Sequence, residues 1–188
     1  LFTKRKSEIV FPSELNSQWL KNIQDPLLDK PRLLYVGRIK IEKGIFSFLK
    51  IFEQLSKNIN LSIVGRKEKK ILFKKNINYI GHGYGALDLI KIYDKHNIFI
   101  LPSFTEAHPK VVDESLARER PVIIFEEIKH IIRNREGIFV SKRNAESVEK
   151  NIDFIIKNYS QIQEKIRKNK LPTKEEFFLQ MSNILSSN

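Results

Sequence analysis

From residue 33 onward, short continuous apolar runs alternate with longer amphipathic stretches, and this alternation restricts the fold more than any other feature of the sequence. Each run is bounded by glycine, proline, asparagine or charged residues, a pattern that is typical of a strand covered on both faces. The predicted strands are 33–37, 61–65, 77–80, 98–101, 122–125 and 138–140. About six such runs with helical segments between them indicate a mainly parallel sheet.

Helical periodicity fills the intervals between these runs. Apolar residues recur at helical spacing over 45–57 and again over 86–96. Asn144 is a predicted N-cap of a third helix, and Thr173 with Glu176 forms a capping box ahead of a fourth. Because crossovers between parallel strands are right-handed, the sequence predicts a doubly wound, Rossmann-like α/β domain with helices on both faces of its sheet.

The chain is expected to have two unequal parts. Residues 31–188 would form the Rossmann-like domain with its C-terminal helices. Residues 1–30 are too few for a second domain, and they predict a short strand, a helix around 13–22 and a linker that ends a preceding domain. The first residue is leucine rather than methionine, so we expect the natural polypeptide to extend further upstream.

Composition excludes several classes of protein. Cysteine is absent, so disulfides and thiolate zinc sites are excluded, and the four histidines are scattered without metal-ligand spacing. No metal and no bound cofactor are expected. No apolar run approaches the roughly 18 to 20 residues of a membrane span, and no secretory signal is visible, which predicts a cytoplasmic location. The net charge of +12 predicts attraction to phosphate ligands, polyanions or an anionic membrane surface, or it reflects a compositional bias of the source.

The loop after the first predicted strand, residues 36–44, combines glycine with cations. Gly37 lets the backbone approach a ligand closely. A helix that begins near Gly44 directs free N–H groups and its positive dipole end at the same space. Arg38 and Lys43 add two positive charges, so the loop suits a diphosphate. The same residues also fit a basic loop that is exposed to solvent and binds nothing.

The loop after the fourth predicted strand carries two carboxylates. Pro109 is a natural first helical residue, which places Glu106 in the loop and Glu114 just over one turn into the helix. Ligands of doubly wound folds bind at the carboxyl ends of the strands, so both carboxylates could accept hydrogen bonds from ribose and sugar hydroxyls. Alternatively, Glu114 and Lys110 form an exposed i, i+4 pair worth a few tenths of a kcal/mol.

Both loops together resemble the C-terminal domain of family 4 retaining glycosyltransferases, which have the GT-B fold. The stretch LLYVGRIKIEKG resembles the VGR…KG phosphate loop of that family, and LPSFTEAHPKVVDESLARERPVI resembles its segment with two glutamates in Glu-x7-Glu spacing. The intervening stretch NINYIGHGYGALDLIKIYDKHNIFILPS matches in order and spacing. The resemblance covers about residues 33–160, and the combination of both loops makes it specific.

The resemblance implies a role for each of these residues. Arg38 and Lys43, beside Gly37, would hold the diphosphate of a nucleotide-sugar donor. Glu114 would accept hydrogen bonds from ribose, and Glu106, the catalytic residue, would contact the transferred sugar. Backbone N–H groups would assist around His108, Pro109 and Lys110. The resemblance also implies retention at the anomeric carbon, with the leaving phosphate assisting the acceptor hydroxyl, and no metal.

Several residues depart from the family pattern. Ala107 and His108 stand where glycine and an aromatic residue are usual, and His108 also fits a packing or surface role. Glu119 replaces a common glycine, and the stretch 126–135 lacks the usual glycine-rich turn near the donor. The family's first domain, which binds a glycan or lipid-linked acceptor, is not among these residues, so we expect this chain alone to be inactive.

Two other functions stay open at this point. A nucleotide-sugar epimerase shares the two-domain architecture, although the Glu-x7-Glu pair favours transfer. A basic module that binds nucleic acid or a membrane surface would suit the charge of +12. No helix-turn-helix, RNA-recognition or zinc signature is present, which argues against nucleic acid. Association with the inner face of a membrane is compatible with transfer to a lipid-linked acceptor.

Overall fold

The structure, a computed structural model, describes residues 10, 13, 15–55, 58–66 and 76–186. Its centre is a six-stranded parallel sheet in the order β3-β2-β1-β4-β5-β6. The strands are β1 (Arg32–Val36), β2 (Asn60–Val64), β3 (Ile77–Gly81), β4 (Ile98–Leu101), β5 (Val122–Phe125) and β6 (Ile138–Ser141). All six predicted strands are confirmed, each within one residue of its predicted bounds.

The order of the strands reverses between β1 and β4, which pair directly through Leu33 with Ile98 and Leu34 with Phe99. This is the strand order of a Rossmann fold, in which right-handed crossovers place helices on both faces. β4 and β5 are buried over their whole lengths, as their unbroken apolar sequences predict. The doubly wound fold is therefore confirmed.

Six α-helices accompany the sheet in the described part of the chain. They are α1 (Ile45–Phe52), α2 (Ala86–Asp94), α3 (Lys110–Ala117), α4 (Ala145–Lys157), α5 (Tyr159–Ile166) and α6 (Lys174–Ser186). α1 and α2 are shorter than predicted, because each ends in a tightened turn with i to i+3 hydrogen bonds. Leu55 N–H donates to the Phe52 carbonyl after α1, and His96 N–H donates to the Tyr93 carbonyl after α2.

Both predicted helix caps are confirmed. The side chain of Asn144 accepts a hydrogen bond from the Ser147 N–H at 2.9 Å. Thr173 and Glu176 bond reciprocally, since each backbone N–H donates to the other side chain, at 2.9 and 3.2 Å. These bonds satisfy backbone donors that a helix N-terminus otherwise leaves open.

The helix predicted around 13–22 is wrong for the residues described there, namely 13 and 15–22. Ser17–Leu20 form turns, in which Trp19 N–H donates to the Asn16 carbonyl at 3.1 Å. The Asn16 side chain accepts from the Gln18 N–H at 3.0 Å, a local bond that competes with a helix. The strand predicted still earlier falls largely outside the described residues.

Arg118 accounts for the turns in this segment, because it binds backbone carbonyls that a helix would use for its own hydrogen bonds. Its guanidinium is fully buried and makes a two-pronged pair with Asp94 at 2.8 Å. It also donates, at 2.8 to 3.0 Å, to the carbonyls of Trp19, Lys21 and Asn22. A buried guanidinium with its donors paired in this way fixes the early segment against α2 and α3.

Two further buried side chains hold the segment that leads into β1. Arg120 donates to the Gln24 carbonyl at 2.6 Å. The Asn97 amide donates to the carbonyls of Leu27 and Lys30 at 2.9 and 2.8 Å. The segment is thus tied to the sheet by side chains, while the division of the chain near residue 30 stays a prediction.

Candidate functional site

The loops after β1 and β4 meet at the point where the strand order reverses. Phe104 N–H donates to the Glu42 carbonyl at 3.1 Å, which joins the two loops directly. Gly44 has φ of +65°, and an added Cβ would lie 1.8 Å from the Pro102 carbonyl oxygen. Only glycine fits this close approach. The two predicted loops therefore adjoin each other at the carboxyl edge of the sheet, where doubly wound folds bind their ligands.

An ion pair crosses this junction. Lys43 Nζ lies 2.7 Å from Glu106 Oε1, and the two side chains are 20% and 11% exposed. Ser103, which is fully buried, donates its hydroxyl to the same Glu106 oxygen at 2.7 Å. Lys43, which was predicted to bind phosphate, and Glu106, which was predicted to contact sugar, are thus in direct contact. Ser103 joins this candidate site without any sequence pattern that indicated it.

The turn after β1 is held by its neighbours. Tyr35, which is buried, donates its hydroxyl to the Arg38 carbonyl at 2.7 Å. The Gly37 carbonyl packs so closely on Gly65 that an added Cβ there would lie 1.8 Å from it. The Arg38 side chain is exposed at this edge. The backbone of the turn is therefore fixed while its cation faces solvent.

The second predicted carboxylate, that of Glu114, is held by a hydrogen bond from α2. Glu114 Oε2 accepts a hydrogen bond from the buried Tyr93 hydroxyl at 3.0 Å. Glu114 is half-buried and lines a small pocket at the start of α3. The other lining residues are Ser13, Leu15, Lys110 and Asp113. Glu114 is thus more than a member of an exposed surface pair.

Pro109 precedes α3 by one residue, which corrects its predicted place as the first helical residue. Its ψ of 106° is extended, so the helix begins at Lys110. His108 lies against this helix start, with Nε2 3.2 Å from Asp113 Oδ2. Burial lowers the pKa of His108, and the Asp113 charge partly opposes that change. Arg135 pairs with the other Asp113 oxygen.

The stretch 126–135, which lacks a glycine-rich turn, nonetheless contacts the site. It opens with a 3-10 segment, Glu126–Ile131, that is kinked at Ile128. His130 Nε2 lies 2.7 Å from the Glu106 carbonyl oxygen. This hydrogen bond joins the 126–135 stretch to the backbone of Glu106.

Arg143, after β6, packs against the β4 loop. Its guanidinium carbon lies 4.2 Å from the centre of the Phe104 ring and 4.3 Å from that of Phe125. It donates to Glu127 at 2.8 Å and to the Pro102 carbonyl at 3.1 Å. Aromatic stacking and a planar fork are properties of arginine that lysine lacks. Arg143 thus holds the loop that carries Ser103 and Glu106.

Glu119 keeps the backbone conformation that glycine favours. Its φ is +56°, in the left-handed region. Its carboxylate accepts two hydrogen bonds from Arg167, both at 2.9 Å. This bidentate pair joins the end of α3 to the end of α5 and offsets the strain.

Within the described residues, no group of three or more His, Asp or Glu side chains could hold a metal ion. In the same part of the chain, every helix is too short or too polar to cross a membrane. The chemical groups at the junction of the two loops are the Lys43 ammonium, the Glu106 carboxylate and the Ser103 hydroxyl.

Comparison with known proteins identifies the family. Residues 18–184 match the glycosyl transferases group 1 family. The chain belongs to that family. A glycosyltransferase of Haemophilus influenzae, described as uncharacterized, is 30% identical over 159 residues, which are 74% of this chain and 44% of the relative.

Another relative is the N,N'-diacetylbacillosaminyl-diphospho-undecaprenol alpha-1,3-N-acetylgalactosaminyltransferase of Campylobacter jejuni, 23% identical over 88% of this chain and 44% of the relative. This glycosyltransferase chain thus spans under half the length of both relatives.

Solved structures share the fold. Sucrose-phosphate synthase of Thermosynechococcus elongatus superposes with a TM-score of 0.73 at 19% identity, over 94% of this chain and 51% of that one. Anabaena HepE in complex with UDP-glucose gives 0.68 at 14% identity, over 85% and 50%.

Proposed function

We propose that this chain is the donor-binding half of a retaining glycosyltransferase and binds a nucleoside-diphosphate sugar. The observation that supports the proposal best is the junction of Lys43 and Glu106, 2.7 Å apart, at the reversal of strand order. A cation for phosphate and a carboxylate for sugar hydroxyls lie side by side where such folds bind nucleotides. Membership in a glycosyltransferase family favours transfer over epimerisation.

Each predicted residue has a part in this proposal. Arg38 and Lys43 bind the diphosphate, and the positive end of the loop-to-helix turn assists them. Glu114 accepts hydrogen bonds from ribose, and Glu106 from the transferred sugar. The backbone around His108, Pro109 and Lys110 borders the sugar.

The proposed reaction retains configuration at the anomeric carbon. The bond from this carbon to the diphosphate breaks, and the acceptor oxygen bonds to the same face of the sugar. The acceptor proton passes to a departing phosphate oxygen. Arg38 and Lys43 stabilise the negative charge that develops on the departing diphosphate. Electrostatic stabilisation of this kind is usually the largest single contribution to catalysis. Glu106 orients the sugar, so its loss would lower the rate of transfer.

The relatives support the class of donor and acceptor. HepE was solved with UDP-glucose, and the name of the Campylobacter jejuni relative describes transfer of N-acetylgalactosamine to a diphospho-undecaprenol acceptor. We infer that this chain takes a hexosyl donor and that its acceptor, a glycan or a lipid-linked glycan, is bound by polypeptide outside these 188 residues. Alone, the chain would bind the donor without transferring sugar.

Thermal unfolding with a nucleotide panel tests the proposal. A ligand at a hundredfold excess over its Kd contributes about 2.7 kcal/mol of stability. For a domain of this size, the melting midpoint should rise by about 5 to 10 °C with one of UDP, GDP or ADP. A short DNA duplex at the same phosphate concentration is the control. No shift with any of the three nucleotides, or an equal shift with DNA, would contradict a donor site.

The charge of +12 supports a second element of the proposal, peripheral attachment to the cytoplasmic face of a membrane. Flotation with vesicles tests it. The chain should float with vesicles that contain about a third anionic lipid and stay behind with neutral ones, and added salt should reverse the binding. Equal behaviour with both vesicle types would exclude an electrostatic attachment.

A further inference from the structure

Tyr93 connects the core of the domain to the candidate site. It lies on α2 and is fully buried. Its ring stacks on Phe99 of β4 at 5.6 Å between centres and meets Trp19 edge-on at the same distance. These two contacts and the burial of the ring restrict its position. Its hydroxyl then reaches across to α3, 3.0 Å from Glu114 Oε2.

We propose that Tyr93 is a positioning residue that holds the Glu114 carboxylate in the orientation required to accept hydrogen bonds from ribose. The inference rests on the proposed function, since it assumes that Glu114 meets the nucleotide. A glutamate has three side-chain torsions, and fixing them at the moment of binding costs conformational entropy. Tyr93 fixes them beforehand, which is preorganisation of the site.

The chemistry of the pair suits this role. A carboxylate has about four lone-pair sites, so acceptance from Tyr93 leaves acceptor capacity for the two ribose hydroxyls. Burial raises the pKa of Tyr93 well above its ordinary value, and the Glu114 charge raises it further. The hydroxyl therefore stays protonated, and it donates to Glu114 throughout the neutral pH range.

A purely structural role for Tyr93 makes a different prediction. If the ring only fills the core, Tyr93→Phe keeps the packing and leaves nucleotide recognition unchanged. If the hydroxyl positions Glu114, the same variant weakens ribose recognition specifically. Tyr159→Phe is a matched control, because Tyr159 is also buried and donates its hydroxyl, at 2.7 Å, to the Asn97 carbonyl away from the site.

Calorimetric titration separates the two roles. Wild type, Tyr93→Phe and Tyr159→Phe are titrated with UDP, GDP and ADP and with their 2′,3′-dideoxy diphosphate analogues. We expect Tyr93→Phe to bind the preferred ribonucleotide about three- to tenfold more weakly and the dideoxy analogue within twofold of wild type. Tyr159→Phe should match wild type for both ligands.

A double variant sharpens the test. In a Glu114→Ala background, Tyr93→Phe should have no further effect on ribonucleotide affinity, because the group that it positions is gone. Three results would each overturn this inference and leave the proposed function intact. They are wild-type affinity in Tyr93→Phe, equal weakening of both ligand types in that variant, and additive effects in the double variant. Failure of the wild-type chain to bind any of the three nucleotides would remove the proposed function and this inference together.

Discussion

Lys43 and Glu106 face each other across the two loops at a distance of 2.7 Å between Nζ and Oε1, in a setting where both side chains are largely shielded from solvent. In the proposed donor site, one of them binds the diphosphate and the other binds the sugar. The ion pair therefore engages the two groups that the donor requires. A diphosphate that approaches Lys43 also approaches the negative charge of Glu106.

The first prediction concerns that charge. Glu106→Gln should bind the preferred nucleoside diphosphate about tenfold more tightly than wild type, because one anion next to the phosphates is removed while a hydrogen-bonding group remains. Titration calorimetry without sugar measures the effect. Glu164→Gln, an exposed change of the same charge on α5, is the control. Unchanged or weaker binding in Glu106→Gln would show that Glu106 does not compete for Lys43.

The second prediction concerns Arg143, which lies between the Phe104 and Phe125 rings. Arg143→Lys keeps the charge but loses the planar fork and the stacking. The β4 loop should then hold Glu106 less firmly against the transferred sugar. In calorimetric titration, we expect affinity for a nucleoside-diphosphate sugar such as UDP-glucose to fall about three- to tenfold, while affinity for the diphosphate without sugar should not fall. Arg167→Lys is the matched control, since its bidentate pair with Glu119 lies on the opposite end of α3. Arg167→Lys should lose stability and keep wild-type affinity. Wild-type affinity in Arg143→Lys together with reduced affinity in Arg167→Lys would contradict the role of Arg143.

The third prediction concerns the strained backbone at Glu119, where φ is +56°. Glu119→Ala and Glu119→Gly both remove the pair with Arg167, and they differ only in their tolerance of this conformation. The glycine variant should be more stable by about 1 kcal/mol, because a left-handed residue with a Cβ is strained by roughly that amount. Urea unfolding of both variants measures the difference. Equal stabilities would show that the strain is absent.

The fourth prediction concerns pH. Burial lowers the pKa of His96, its hydrogen bond to the Ile92 carbonyl opposes that change, and nearby Arg32 lowers the pKa further. Below the ordinary histidine pKa of about 6.5, the unfolded chain therefore binds more protons than the folded chain. Stability is fully present above that pH and is lost as the pH falls toward the folded-state pKa. The melting midpoint should drop between about pH 7.5 and pH 5.5.

His108 contributes to this loss in the same direction, since burial lowers its pKa as well. His96→Gln should therefore reduce the slope of melting midpoint against pH without abolishing it. A slope equal to that of wild type would show that His96 does not titrate differently in the folded and unfolded states.

Sequence patterns predicted the fold well because the sheet is built from continuous apolar runs. Buried strands such as β4 and β5 show that signal without interruption. The region around 13–22 was predicted wrongly, because the Arg118 donors that bind its carbonyls come from a residue almost a hundred positions later. Local periodicity contains no information about such a partner.

Parts of the site were equally beyond local patterns. Lys43 and Glu106 were predicted from loops that follow parallel strands, and the structure brings them together. Tyr93 was visible only as an apolar position on a helix, since its hydroxyl bond to Glu114 depends on how α2 and α3 pack. No sequence pattern indicated Arg143, because its contacts form only where three loops of the folded chain meet.

The central proposal, a donor site built on Arg38 and Lys43, is tested most directly by one calorimetric comparison. Wild type and Arg38→Ala/Lys43→Ala are titrated with whichever of UDP, GDP or ADP stabilises the chain most. Lys157→Ala/Lys165→Ala, which removes two exposed charges on α4 and α5, is titrated as the control for net charge. The site variant should lose about a hundredfold in affinity or more, because two charge-assisted contacts are removed, while the control stays within about twofold of wild type. Equal affinities in all three proteins would contradict the donor site.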